Sequence, residues 1–272
     1  KTLLTYDIAK DLLSKGQKVL IVHCAQLNSG QRMLQNKYGW DICMAKVFEN
    51  EVLKEYSVII VDEAQRARQE QFDKLIESVR QENMTCIFSY DEKQYLCNRE
   101  KIIDMPNQIL KVLTQDIFKL TTKIRTNKEI ASFIKPLFDI HEKINCSEHS
   151  NIDLHYCSTE EDVKILSVHL QRKDWKVPKY TPGTHSAFKY QRYEIGNEES
   201  AHAVIGQEFD KIVAIIDETF RYNENGILVA DNSCYSQRQM LYQILTRTRQ
   251  RLYVIILNNE PMLKRCLEIL KR

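Results

Sequence analysis

The chain has 272 residues, 43% of them hydrophobic and 28% charged, which is enough apolar material to bury one or two cores and rules out a disordered tail or linker. Its 39 Lys and Arg against 37 Asp and Glu leave a formal charge of +2, so a polyanionic partner must be met by a local patch and not by a global basic field. Only 7 glycines are present, where about 7% of residues is usual.

In chain order, Leu3, Leu4, Ile8 and Leu12 recur at helical spacing, and Gly16 follows them as a helix C-cap does. Short runs rich in Val and Ile then alternate with amphipathic stretches. Val19 to Cys24, Val58 to Val61, Cys86 to Tyr90, Ile212 to Ile216 and Leu252 to Leu257 read as strands buried on both faces of a parallel sheet. Phe72, Leu75, Ile76 and Val79 share one helical face, as do Ile130, Phe133, Ile134 and Leu137. Ser158 with Glu161 reads as a capping box ahead of Val163 and Leu166, and Pro261 suits the first turn of a final helix. This alternation predicts an α/β fold of mostly parallel sheets flanked by helices.

Trp175 to Gly196 carries Pro178, Pro182 and Gly183 without periodicity and reads as an irregular insertion around 173–197. A hinge is expected near 114–122, dividing a first domain, 1–117, from a second, 118–272. No run approaches the 18 or so apolar residues of a membrane span, and the opening residues lack the order of a signal peptide, so a cytoplasmic protein without a membrane partner is expected. The eight cysteines form neither a C-x-x-C pair nor a Cys/His cluster at metal-ligand spacing. They read as reduced, mostly buried thiols, with a zinc site assembled from distant residues as the alternative.

Asp62 and Glu63 follow four apolar residues in SVIIVDEAQRAR. Open parallel sheets bind ligands outside the carboxyl ends of their strands, where both acids would be delivered. A nucleotide hydrolase needs that arrangement: Asp62 to hold Mg²⁺, Glu63 to orient or deprotonate the attacking water. The plain alternative is an acidic turn after a buried strand.

Lys1 and Thr2 directly precede the first helical pattern. A phosphate-binding loop ends in G-K-[ST] and runs into a helix, its Lys reaching the β- and γ-phosphates of the nucleotide and its hydroxyl binding Mg²⁺. Lys1 and Thr2 match the last two letters, and the following order of helix, strand and Asp62-Glu63 strand is the one such a loop begins. Since Gly16 is the first glycine, the loop's glycines are expected just upstream, and the fragment alone is expected to bind ATP poorly and to be inactive.

With those residues in place, the chain resembles the superfamily 1 helicases, and more closely the bacterial Schlafen-like P-loop NTPases. The resemblance implies two RecA-like lobes, ATP and Mg²⁺ as ligands, and DNA or RNA as the track. In DEAQ it makes Gln65 a nucleotide contact, and in FSYDEKQ it matches Asp91 and Gln94, the latter as a γ-phosphate sensor. In LTTKIRTNKEIASFI, Arg125 matches an arginine that contacts the γ-phosphate. AHAVIGQEFD supplies Gly206, close to ligand, Glu208, on the ribose, and His202, while Ile205 stands where the family carries Lys. In LYQILTRTRQRLYVII, Arg247 matches the second arginine finger. The resemblance further implies that Arg125 and Arg247 approach nucleotide bound by the other lobe, and that the domain is often fused to an effector. The plain alternative for both arginines is a surface or salt-bridging role.

Two basic stretches bear on nucleic acid. Between Tyr235 and Arg272 eight basic residues face two acids. Trp175 to Tyr193 interleaves Lys176, Lys179, Lys189 and Arg192 with five aromatic residues, a composition that suits single strands of DNA or RNA; aromatics that simply pin the segment to the core are the favoured reading there. Together these features predict an ATP-hydrolysing helicase or translocase motor domain. The alternatives are a nucleotide switch that controls a fused or partner effector without unwinding, and a degenerate scaffold that keeps only the fold. No stretch between the motifs is long enough for a separate duplex-gripping domain, so ATPase or translocation is expected over processive unwinding.

Overall fold

In the computed structural model the described residues are 2–46, 53–92, 94–95, 97–113, 117–120, 127–144, 149–181, 189–196, 200–202, 204–230 and 235–271. The chain divides into two compact units, Lys1–Thr122 and Lys123–Arg272.

The first unit runs α1 (Thr2–Ser14), β1 (Val19–His23), α2 (Ser29–Tyr38), β2 (Asp41–Met44), β3 (Val58–Asp62), a 3-10 turn (Ala64–Arg66), α3 (Gln69–Gln81), β4 (Thr85–Ser89), α4 (Asn98–Ile103) and α5 (Met105–Val112). Its four strands are all parallel, in the order β2-β1-β3-β4. Every residue of β1 and β3 is buried, and the pleat explains why those runs are continuously apolar. Val19, Ile21, Val58 and Ile60 join a core on one face with Tyr6, Ala9 and Leu12. Leu20, Val22, Ile59 and Val61 join a core on the other face with Phe72, Leu75, Met105 and Ile109. Each fully buried Val, Leu, Ile, Phe or Met among them contributes about 1.5–3 kcal/mol through burial.

On α1 the expected Ile8 and Leu12 pack, partly buried, against the core, and the start of the helix departs from the expected stripe. Leu3 is 65% and Leu4 39% exposed, whereas Thr2, Thr5 and Ala9 are buried. Small residues at that spacing let the helix backbone approach the sheet closely, and they bring the Thr2 hydroxyl to the strand ends. Gly16 (φ +76) ends the turn after α1 with its N–H on Leu13 O, as expected of a left-handed C-cap. The short strand β2 was not among the expected runs, because four residues with one buried side chain carry little periodic signal.

The second unit runs α6 (Lys128–Phe138), β5 (Ile152–Cys157), α7 (Glu160–Gln171), a 3-10 turn (Lys189–Arg192), β6 (Phe209–Ile216), β7 (Arg221–Tyr222), β8 (Leu228–Val229), α8 (Gln237–Leu245), β9 (Thr248–Leu257) and α9 (Glu260–Leu270). Its main sheet is also parallel, in the order β5-β9-β6, and β7 and β8 form a small antiparallel hairpin. Ile130, Phe133, Ile134 and Leu137 are all buried on α6, as the periodicity predicts. In place of the expected capping box of Ser158 and Glu161, α7 has a simple N-cap one residue later: Thr159, with an extended backbone, accepts from Asp162 N. At α9 Asn259 is the N-cap and Pro261 lies in the first turn.

The basic and aromatic segment is pinned inward. Trp175, Tyr180, Tyr190 and Tyr193 are buried, and Tyr180 donates to Ile215 O at 2.7 Å. Cys24, Cys43, Cys86, Cys97, Cys157 and Cys266 are free thiols; Cys146 and Cys234 lie outside the described residues. No helix among the described residues is long and apolar enough to cross a membrane.

Candidate functional site

The first unit gathers its polar groups at the carboxyl ends of β1 and β3. Register places His23 beside Asp62. Thr2, at the start of α1, donates from Oγ1 to Asp62 Oδ2 at 3.3 Å, and His23 Nδ1 lies 3.2 Å from the same oxygen. All three residues are buried, and Asp62 Oδ1 and His23 Nε2 have no hydrogen bond among the described residues. A buried carboxylate oxygen left this way is costly unless a cation or ligand meets it. The same carboxylate acts on its neighbours: burial, and then Asp62, push the Tyr6 phenol up to about 12 against a hydrogen bond with Gln31, and burial, Asp62 and Glu63 push the Cys24 thiol up.

Glu63 leaves the strand in a left-handed conformation, φ +56 and ψ +38, which costs a non-glycine residue about 1–3 kcal/mol and survives only where its surroundings hold it. They do so through its carboxylate. Glu63 Oε2 accepts from Gln65 Nε2 at 2.7 Å and from Arg66 Nε at 3.1 Å. Gln65 in turn reaches the turn after β4: its Oε1 accepts from Asp91 N at 3.0 Å and its Nε2 donates to Gln94 O at 3.3 Å. Asp91 O accepts from Gln94 N, closing the turn. Thus Thr2 and Asp62 form one contact, and Glu63, Gln65, Asp91 and Gln94 form a second, linked through the Asp62-Glu63 peptide. Lys1 lies outside the described residues.

In the second unit Gly206 adopts φ +77, a conformation that favours glycine, in the approach to β6. Phe209 N donates to Arg247 O at 3.0 Å, so the backbone leading into β6 after Glu208 runs beside the backbone leading into β9 at Arg247. Arg247 is only 2% exposed, placed by the turn between α8 and β9. Ile205 is fully buried. His202 Nδ1 meets Thr181 Oγ1, and the ring packs edge-on against Tyr235, 4.5 Å between centroids. A cavity of about 440 Å³ lined by Ser158, Thr159, Glu160, Glu218 and Asn258 opens at the other, carboxyl end of this sheet, away from those motif residues. Arg125 lies outside the described residues.

The sequence reading missed His23, Arg66, Glu100 and Asp217. His23 carried a signal, being a polar residue that ends an apolar strand. Asp217, just beyond β6, accepts from Tyr193 Oη at 2.8 Å and Thr219 N at 3.0 Å, while its carbonyl accepts from Asn259 Nδ2. The expected C-terminal basic patch is largely engaged within its own unit. Arg251 pairs with Asp153 at 2.9 Å and stacks on Trp175, Arg249 faces Asp210, and Arg265 donates to Pro136 O. A charge surplus counted along the chain does not know that strand pairing brings acids alongside. No group of three or more His, Cys, Asp or Glu that could hold a metal ion occurs among the described residues.

The chain is thus an α/β protein of two parallel-sheet units, the first with a hydroxyl, two acids and a glutamine relay at its strand ends. It belongs to the family described as the Schlafen group 3, DNA/RNA helicase domain, whose model matches residues 1–173. No curated protein matches it. Among solved structures it is similar to a Dbp5 variant from S. cerevisiae, bound to Nup159, a Gle1 variant, IP6 and ADP, with 12% identity and a TM-score of 0.32 over 94% of this chain and 68% of that one. At that score the likeness adds nothing to the parallel α/β arrangement seen directly.

Proposed function

We propose that the chain is the ATP-hydrolysing motor domain of a cytoplasmic helicase-like or translocase-like protein, with a first RecA-like domain over 1–117 and a second over 118–272. The observation that carries this reading is the hydrogen bond between Thr2 and Asp62, because a helix-start hydroxyl beside a strand-end carboxylate is what a phosphate loop and its partner acid require. The residues present fit Mg²⁺: an oxygen-only pair with one carboxylate oxygen unsatisfied suits an ion that takes one or two carboxylates together with phosphate and water. Thr2 and Asp62 would hold it, and bound there it would neutralise charge on the phosphate oxygens.

The remaining roles fall to this chain's own side chains. Lys1 binds the β- and γ-phosphates. Glu63 orients the attacking water and takes its proton. Gln65 and Asp91 belong to the nucleotide contact, and Gln94 senses the γ-phosphate. Gly206 and Glu208 lie against the nucleotide, Glu208 on the ribose. Arg125 and Arg247 stabilise charge on the transferring phosphoryl group. Single-stranded DNA or RNA is the proposed track. The intramolecular pairing of Arg249, Arg251 and Arg265 favours, as a second reading, a nucleotide switch controlling a fused or partner effector. Both readings are tested in the complete protein. Hydrolysis of ATP that rises on adding single strands supports the motor, hydrolysis without strand displacement or movement supports the switch, and absence of hydrolysis sinks both.

A further inference from the structure

Arg66 occupies a place that the nucleotide motifs leave unexplained. Its side chain is only 3% exposed, and a cation that deep must be paired. It has two carboxylate partners: Nε meets Glu63 Oε2 at 3.1 Å, and Nη1 lies 3.8 Å from Glu100 Oε1, each acid being only 10% exposed. Nε makes the hydrogen bond, to Glu63, while Nη1 faces Glu100 as an ion pair beyond hydrogen-bond distance, so the planar guanidinium spans the two acids from different nitrogens, which a lysine ammonium does not reproduce. Glu100 lies on α4, so the pair ties the turn after β3 to a separate element.

Glu63 needs such a brace. Its backbone is in the left-handed region, and its Oε2 accepts from the side chains of Gln65 and Arg66. Gln65 is already shared with Asp91 N and Gln94 O, so it moves with the turn after β4. Arg66, anchored on Glu100, is the partner whose position does not depend on that turn.

We propose that Arg66, braced by Glu100, is a positioning residue that holds the Glu63 carboxylate where it orients the attacking water; the inference rests on the hydrolase reading above. The salt-bridge triad then does more than stabilise the fold. It keeps a catalytic carboxylate in a backbone conformation the chain would otherwise leave, and misplacement of such a group by about 1 Å can cost on the order of 10²-fold in rate.

The test is a double-mutant cycle in the complete protein, with hydrolysis read under single-turnover conditions and nucleotide affinity read with a fluorescent ADP analogue. Arg66→Gln should lower kcat on the order of 10²-fold while leaving that affinity within about twofold, since a misplaced base affects the chemical step and not ground-state binding. In a Glu63→Gln background the same substitution should change the residual rate by less than about threefold, because groups that act as a unit are not additive. Glu100→Gln, which keeps the side chain's shape, should lower kcat in the same direction by a smaller factor. If Arg66→Gln does not fold, Glu100→Gln and Arg66→Lys decide the matter in its place. Equal factors in both backgrounds, or wild-type rates in the folded variants, overturn the inference and leave the hydrolase reading standing. A wild-type protein that hydrolyses no ATP overturns both.

Discussion

Thr2 and Asp62 stand 60 positions apart in the chain, yet the Thr2 hydroxyl donates to Asp62 Oδ2 at 3.3 Å inside a buried pocket of the first unit. The contact exists because the first turns of α1 bury the small residues Thr2, Thr5 and Ala9 and leave Leu3 and Leu4 exposed. It also accounts for the burial of a polar helix start that would otherwise face water.

Thr2→Val keeps the shape and removes the hydroxyl. Losing one buried hydrogen bond should destabilise the first unit by about 1–3 kcal/mol, since the Asp62 carboxylate is left with less compensation. In the complete protein, Mg²⁺-dependent nucleotide binding should weaken at least tenfold by titration calorimetry. Unchanged Mg²⁺ dependence would remove Thr2 from the proposed ion site.

Glu63→Gln retains volume and hydrogen bonding to Gln65 and removes the base. Steady-state ATP hydrolysis should fall on the order of 10²–10⁴-fold, with nucleotide affinity retained. A rate within threefold of wild type would assign the water-activating role elsewhere.

Asn259 joins two carbonyls to a helix start: Nδ2 donates to Asp217 O at 2.7 Å and to Phe220 O at 2.9 Å, and Oδ1 accepts from Met262 N at 3.2 Å. Asn259→Ala should cost the second unit about 2–4 kcal/mol, the sum of a lost cap and two orphaned buried carbonyls. Asn259→Asp keeps the cap but not the donors, so urea unfolding should place it between Ala and wild type.

Glu194 gives the second unit a pH dependence. Burial raises its carboxyl from 4.5 to about 7, with Lys179 opposing the rise, and Oε1 has no hydrogen bond among the described residues. The folded state therefore binds a proton that the unfolded chain has released, so stability falls as pH rises from about 4.5 to 7 and is flat above that range. Glu194→Gln should remove this slope and raise stability at pH 8 by about 1 kcal/mol, well short of the full conversion of the shift because the side chain is only half-buried. A denaturant series across pH 5–8 with identical slopes for both proteins would exclude Glu194 as its source.

Periodicity alone placed β1, β3, β6, β9, α3 and α6, because strands and helices buried on one or two faces write that burial into the order of their residues. It also placed Asp62 and Glu63 at a strand end. It could not find β2 and β5, in which a short run or alternating polar residues hide the signal, and on α1 it was right about Ile8 and Leu12 but not about Leu3 and Leu4, in place of which close packing buried Thr2, Thr5 and Ala9.

What the order of residues determined by itself was therefore the α/β class and the chemical identity of the groups at the strand ends. Which of those groups meet was decided by tertiary structure. Parallel register set His23 beside Asp62, a left-handed turn at Glu63 gave Arg66 its reach to Glu63 and Glu100, and Gln65 joined β3 to the turn after β4. Such contacts depend on strand pairing and on backbone angles, which no local pattern of apolar and polar residues records.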